Sequence, residues 1–80
     1  MRVADLQHGL GQSVRAARLR VGMSQEDLAA AASLDRTYVS GLELGRRNPA
    51  LNTLQKIATA LSVRLSDLIA EAESEERPVT

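Results

Sequence analysis

The stretch SQEDLAAAASLDRTYVSGLELG, residues 24–45, reads as two short helices joined by a tight turn. Ser24 is an N-cap residue with Asp27 three positions on, and Glu26 and Asp27 place acids in the first turn, where the helix dipole favours them. This helix is predicted to end near Ala31. Ser33 and Leu34 make the connection, Asp35 stands as the cap of the next helix, and Gly45 sits where a left-handed residue ends it. At about 100° per residue, Val39 and Leu42 point together, nearly opposite to Thr37, Gly41 and Leu44, with Ser40 at the flank. Leu34 continues the inner side. The outer face is polar, small and singly basic, since Arg36 is long enough to reach around it.

Working outward, Leu6, Leu10, Val14, Ala17 and Val21 recur at spacings of four and three, the stripe of an amphipathic helix that ends near Gly22. On the other side, Asn52 is read as the cap of a fourth helix with Leu54, Ile57, Ala58 and Leu61 turned inward. Ser66 is read as the cap of a fifth, which carries Leu68 and Ile69. No strand pattern, repeat or low-complexity segment is present. The fold class is therefore all-α, a bundle of five short helices. Residues 1–7 read as an N-terminal arm, 8–72 as the domain, and 73–80 as an acidic, frayed tail.

Eighty residues suffice for one small domain, too small for a large enclosed active site. One Tyr and no Phe or Trp mean that Leu, Val, Ile, Ala and Met build the core, which suits packed helices. With no cysteine, disulfides and thiolate-bound zinc are excluded, and the chain leans toward the cytoplasm. The N-terminus has no long apolar run, so neither secretion nor a membrane partner is expected. The formal charge of zero divides unevenly. Residues 1–64 hold nine Lys or Arg against five acids, a net +4, whereas residues 65–80 hold one base against five acids, a net −4. The basic part suits a polyanion, with the acidic end held away from it.

A helix that enters the major groove of double-stranded DNA needs little bulk at its centre and a few donors near its N-terminal end. Gly41 supplies the missing bulk. Arg36 offers a bidentate fork for guanine, Thr37 a hydroxyl or a methyl for thymine, and Tyr38 and Ser40 offer hydroxyls; these four are the candidates for base readout. Ser24 and Gln25, at the start of the preceding helix, lie where free backbone N–H groups and the positive dipole end seat a phosphate.

The run SQEDLAAAASLDRTYVSGLELGRRNP resembles the helix-turn-helix of the Cro and phage-repressor (XRE-like) family, and the likeness extends over roughly residues 8–70. Gln25, Ala29 and Val39 match the Gln, Ala and Val or Ile of that pattern. Ala29 also has a reason of its own, because two helices crossing after a short turn need a small side chain at the contact. Ser33 departs from the Gly or Asn that the family places in the turn, where a positive φ is required. The DRTYVSG run is similar to restriction-modification controller proteins, a subgroup of the family. The resemblance implies a lambda repressor-like fold and a partly buried ion pair between Arg18 and Glu43. It also places the loop with Arg46, Arg47 and Asn48 beside the DNA backbone as further phosphate contacts. It implies a homodimer joined through the last helix, with Leu65, Leu68 and Ile69 as the interface, reading half-sites about one helical turn apart in a near-palindrome.

The expected function is therefore transcription regulation by a dimeric, sequence-specific DNA-binding protein, such as a repressor, without a cofactor. A helical protein-interaction module of the antitoxin type, binding a partner through its apolar C-terminal surface, is the alternative. His8 is the sole histidine, so metal coordination would fall to carboxylates, and no second group stands ready for nucleophilic catalysis. The chain is not expected to be an enzyme.

Overall fold

The structure, a computed structural model, describes residues 2–75. Five helices follow one another: α1 (Val3–Arg20), α2 (Gln25–Ala32), α3 (Arg36–Glu43), α4 (Leu51–Ala60) and α5 (Leu65–Glu75). The long α1 lies along α5 and also supports α3, α2 crosses α3 and rests on α4, and α4 meets α5. Their shared interior holds Leu10, Val14 and Ala17 of α1, Leu28, Ala29 and Ala32 of α2, and Val39 and Leu42 of α3. Ile57, Ala58, Leu61, Leu68 and Ala72 complete it. No aromatic ring takes part, so the helices approach closely, and Ala29 is buried at the α2–α3 crossing as a small residue there must be.

Helices α1 to α4 all end in the same way. At each end one residue is left-handed: Gly22 (φ 74°), Ser33 (φ 57°), Gly45 (φ 76°) and Ser62 (φ 58°). In each case its N–H donates to the carbonyl three residues back, and the next N–H reaches five back, as in Leu34 to Ala29 at 2.8 Å and Val63 to Ala58 at 3.0 Å. This double bond pattern closes the last carbonyls of the helix, and the following Met23, Leu34 and Val63 pack against the core. The positive φ expected at Ser33 is present. Ser62 carried no such signal in the sequence, because serine is not the residue that this conformation favours.

The helix starts differ in detail from the sequence reading. Asp35 stands at the N-cap of α3 with its carbonyl accepting from Val39, but its carboxylate makes no cap hydrogen bond. Helix α4 begins one residue before Asn52, with extended Ala50 as its cap, and α5 already includes Ser66, since Arg64 accepts the first helical bond. Pairing of the backbone, not the polar side chain, sets both starts. Val21 lies beyond the end of α1 and is exposed, which removes it from the inward stripe. The residues read as an arm lie in α1 from Val3 on; of the acidic end, 73–75 are helical and 76–80 lie outside the described residues.

Helix α2 starts with a full capping box: Asp27 N–H donates to Ser24 Oγ at 3.0 Å, and Ser24 N–H donates to Asp27 Oδ2 at 2.9 Å. The Ser24 N–H, and after it the Ser24 hydroxyl, hold the Asp27 carboxyl below its ordinary range. A depressed folded-state value means stabilisation that is present above the unfolded pKa and lost as pH falls through the folded one. Acid titration of unfolding should therefore show wild type and Asp27→Asn converging in stability at low pH; a constant gap between them would remove the box as a pH-linked contributor.

Candidate nucleic-acid interface

Val39 and Leu42 are fully buried, and they fasten α3 to the body by one side. On the other side Arg36 and Thr37 are exposed, Tyr38, Ser40 and Gly41 are half-buried, and Leu44 is 57% exposed. The first turn of α3 thus stands free, with the four side chains singled out for base readout on or beside its open face.

The register of that face is set from below. Glu43, the last residue of α3, is buried, and so is Arg18 in α1. Arg18 Nε donates to Glu43 Oε2 at 2.7 Å and Nη2 donates to Oε1 at 2.9 Å, a two-pronged pair, while Nη1 donates to the Met23 carbonyl at 2.9 Å. The hydrogen bond to Glu43, with the attraction of its charge, raises the Arg18 pKa against the opposing effect of burial, so the guanidinium keeps its charge. Beside it α1 and α3 meet backbone to backbone: a Cβ built on Gly11 would lie 2.5 Å from the Glu43 carbonyl oxygen and 2.6 Å from that of Leu42.

The N-terminus of α2 adjoins α3. Gln25 Nε2 donates to Glu43 Oε1 at 3.1 Å, and Arg36 Nη1 donates to Gln25 Oε1 at 3.3 Å. Glu26 lies 4.0 Å from Arg36 Nε, both groups well exposed. Ser24 has its N–H and one lone pair engaged by the capping box, and its hydroxyl also faces the Asp27 carboxylate.

The loop after α3 folds back over it. The Arg47 guanidinium lies 5.2 Å from the centre of the Tyr38 ring, and its Nε would be 3.1 Å from a Cβ on Gly41. Glycine at this position leaves room for an arginine as well as for a groove edge, and the ring holds the cation in place. Arg46 and Asn48 are exposed, and Asn48 also borders an apolar groove with Leu6, Leu10, Pro49, Leu54 and Ile69. Arg36, Thr37, Tyr38, Ser40 and Arg47 therefore gather at α3, with Ser24 and Gln25 adjoining.

The C-terminal apolar residues divide. Leu68 is only 3% exposed and belongs to the chain's own core, so it is corrected from interface to core; it faces α1, whose Ser13 hydroxyl donates to the Leu68 carbonyl at 2.9 Å. Leu65 and Ile69 are half-buried at the edge. His8 is exposed near Gly45, and among the described residues no three His, Asp or Glu side chains cluster as metal ligands do. Among those residues, too, no helix is long and apolar enough to cross a membrane.

Three features of the site had no reading in the sequence: the close approach at Gly11, the Arg47–Tyr38 stack, and the bridge from Glu43 through Gln25 to Arg36. Gly9 and Gly11 inside α1 are the available signal for the first of these, since a helix interior otherwise disfavours glycine.

Comparison with known proteins agrees with this geometry. A family profile described as Helix-turn-helix matches residues 14–68. The control protein C.BamHI of Bacillus amyloliquefaciens is 48% identical over 60 residues, which is 74% of this chain and 74% of that protein. The crystal structure of the restriction-modification controller protein C.AhdI from Aeromonas hydrophila superposes with a TM-score of 0.77 at 46% identity, covering 81% of this chain and 97% of that one. The restriction-modification controller protein C.Esp1396I, solved as a tetramer in complex with its natural 35 base-pair operator, gives a TM-score of 0.79 at 35% identity, over 89% and 93% of the two chains. With buried anchors behind α3, an open first turn in front, and controller proteins among its relatives, the chain belongs to the helix-turn-helix family of transcriptional regulators.

Proposed function

We propose that this chain is a sequence-specific DNA-binding regulator of transcription that lays α3 in the major groove and reads a near-palindromic operator as a homodimer. The observation that carries the reading is the division of α3: Val39, Leu42 and Glu43 are buried, while Arg36 and Thr37 stand in solvent. Arg36, Thr37, Tyr38 and Ser40 address base edges. Ser24, Gln25, Arg46, Arg47 and Asn48 address the backbone and set the register. A second copy, joined beside α5 where Leu65 and Ile69 remain partly open, presents the second α3 to the next half-site. The regulator acts by occupying DNA in the cytoplasm and carries no catalytic step. That a controller relative has been solved on its operator supports the reading.

Selection of bound sites from random double-stranded DNA tests it directly. The expected product is a twofold-symmetric motif with half-sites about one helical turn apart. No enrichment even at low salt would instead favour a protein-binding module.

Once the motif is in hand, Arg36→Ala should lose about 1–3 kcal/mol of discrimination at one base pair in each half-site. Arg46→Ala should weaken binding to all sequences alike and reduce the slope of log affinity against log salt by about 1. Fluorescence titrations at several salt concentrations separate the two; equal behaviour of the variants would reverse the assignment of reading and phosphate roles.

A further inference from the structure

We infer that His8 is a proton-dependent contact for a backbone phosphate of DNA, and that with Arg15 and Arg46 it extends the phosphate-facing surface onto α1. This inference rests on the proposed role of α3.

The end of α3 seats the imidazole. A Cβ on Gly45 would lie 3.1 Å from the His8 Cα, 3.4 Å from its backbone nitrogen and 3.4 Å from its Nδ1. His8 therefore rests against the left-handed residue that closes α3, and its side chain is exposed there. The next residue, Arg46, begins the loop that addresses the DNA backbone. Gln12, one turn further along α1, places its Nε2 3.4 Å from His8 Nε2. An amide can donate to a neutral ring or, turned over, accept from a charged one. Both charge states of His8 thus have a partner in Gln12.

The charge along this edge is of one sign. Arg2, Arg20, Arg36 and Arg64 each have an acid within 4.0 Å. Among the described residues Arg15 and Arg46 have none, and both are exposed. Arg15 stands seven residues after His8, two helical turns and about 10 Å along the same face of α1. The acids nearest to His8 are already engaged. Asp5, one turn earlier on α1, is held by Arg2 at 3.5 Å, and the Glu43 carboxylate of α3 is turned to Arg18. In the loop, Arg47 lies over the Tyr38 ring and adds a further positive charge. A charged His8 therefore has no carboxylate as its partner among the described residues, and a polyanion laid against α3 supplies the missing counter-charge. Imidazole is the side chain that ordinarily changes charge between about pH 5 and 8. Its hydrogen bond to a phosphate oxygen is stronger when the ring is charged, so binding takes up a proton.

Fluorescence titrations of the selected operator between about pH 5.5 and about pH 8 test this. Wild type should bind about fivefold tighter at the acid end, and its slope of log affinity against log salt should be steeper there by about 1. The same gain is expected on an unrelated duplex, because a phosphate contact carries no sequence information. His8→Gln should stay at the weaker level throughout. His8→Arg, whose charge is fixed, should stay at the tighter level, while melting curves show that both variants fold. His8 is the sole histidine, so its ring resonances in wild type give a second reading without mutation. They should titrate at higher pH in the complex than in the protein alone. Affinity that is flat with pH, or that changes alike in His8→Gln, overturns the inference, and so does a ring that titrates at the same pH bound and unbound. Failure of the proposed function shows itself separately, as a wild-type chain that binds no DNA at any pH, and takes this inference with it.

Discussion

Glu43→Gln should lower the stability of the fold by about 3–5 kcal/mol, because it leaves the buried Arg18 guanidinium without its counter-charge. Glutamine keeps the shape of the side chain, so the loss reports charge and not packing. For a domain of this size a loss of 1 kcal/mol lowers the melting temperature by about 4–8 °C, so the fall should be on the order of 10 °C or more. Total stabilities are about 5–15 kcal/mol, which makes this a large share of the whole. The control is Glu26→Gln: its carboxylate is largely exposed and 4.0 Å from Arg36, an arrangement worth about 0–1 kcal/mol. Thermal melts of the two variants side by side decide the matter, and equal melting temperatures would mean that the Arg18–Glu43 pair is not structural. A further variant separates stability from geometry. Replacing both partners with apolar residues of similar size can restore stability, since a buried pair contributes little beyond an apolar contact. It would also remove the acceptor that orients Gln25.

Gly11→Ala should destabilise the protein by about 1–3 kcal/mol, the reverse of what alanine does elsewhere in a helix. In a helix interior the exchange ordinarily stabilises by about 1 kcal/mol. Here the new Cβ would meet the Glu43 carbonyl carbon at 2.8 Å and two carbonyl oxygens nearer still. Those are backbone atoms of the last turn of α3, which cannot rotate aside as a flexible side chain can. Relief requires α1 and α3 to separate, and the separation pulls on Leu42 in the core and on Glu43 in the ion pair together. The measurement is the midpoint of urea unfolding, accompanied by operator affinity, which should fall because α3 is no longer held at its depth. A midpoint at or above that of wild type would show that the interface accommodates the methyl group.

Much of this architecture was legible because its signals are local. The capping pair Ser24 and Asp27, the alternation of Val39 and Leu42 with Thr37 and Gly41, and the glycines after α1 and α3 each act over a few residues, and one chain suffices to read them. The same locality misleads at Asn52 and Ser66: both are good cap residues, but the first helical bonds are accepted two residues earlier, by Ala50 and Arg64, and each residue falls inside its helix. Leu68 was misread because an apolar stripe near a chain end looks the same whether it closes its own core or awaits a partner. Here α1 is long enough to cover it.

Five helices, the turn at Ser33 and the polar outer face of α3 follow from the order of residues, since hydrophobic period, capping and φ preference are properties of short segments. Tertiary structure alone decided which distant groups meet: Gly11 against the end of α3, Arg47 over Tyr38 and Gly41, and Gln25 between Glu43 and Arg36. Those contacts join residues 6 to 32 positions apart, and only the angles at which packed helices cross bring such groups within hydrogen-bonding or van der Waals reach.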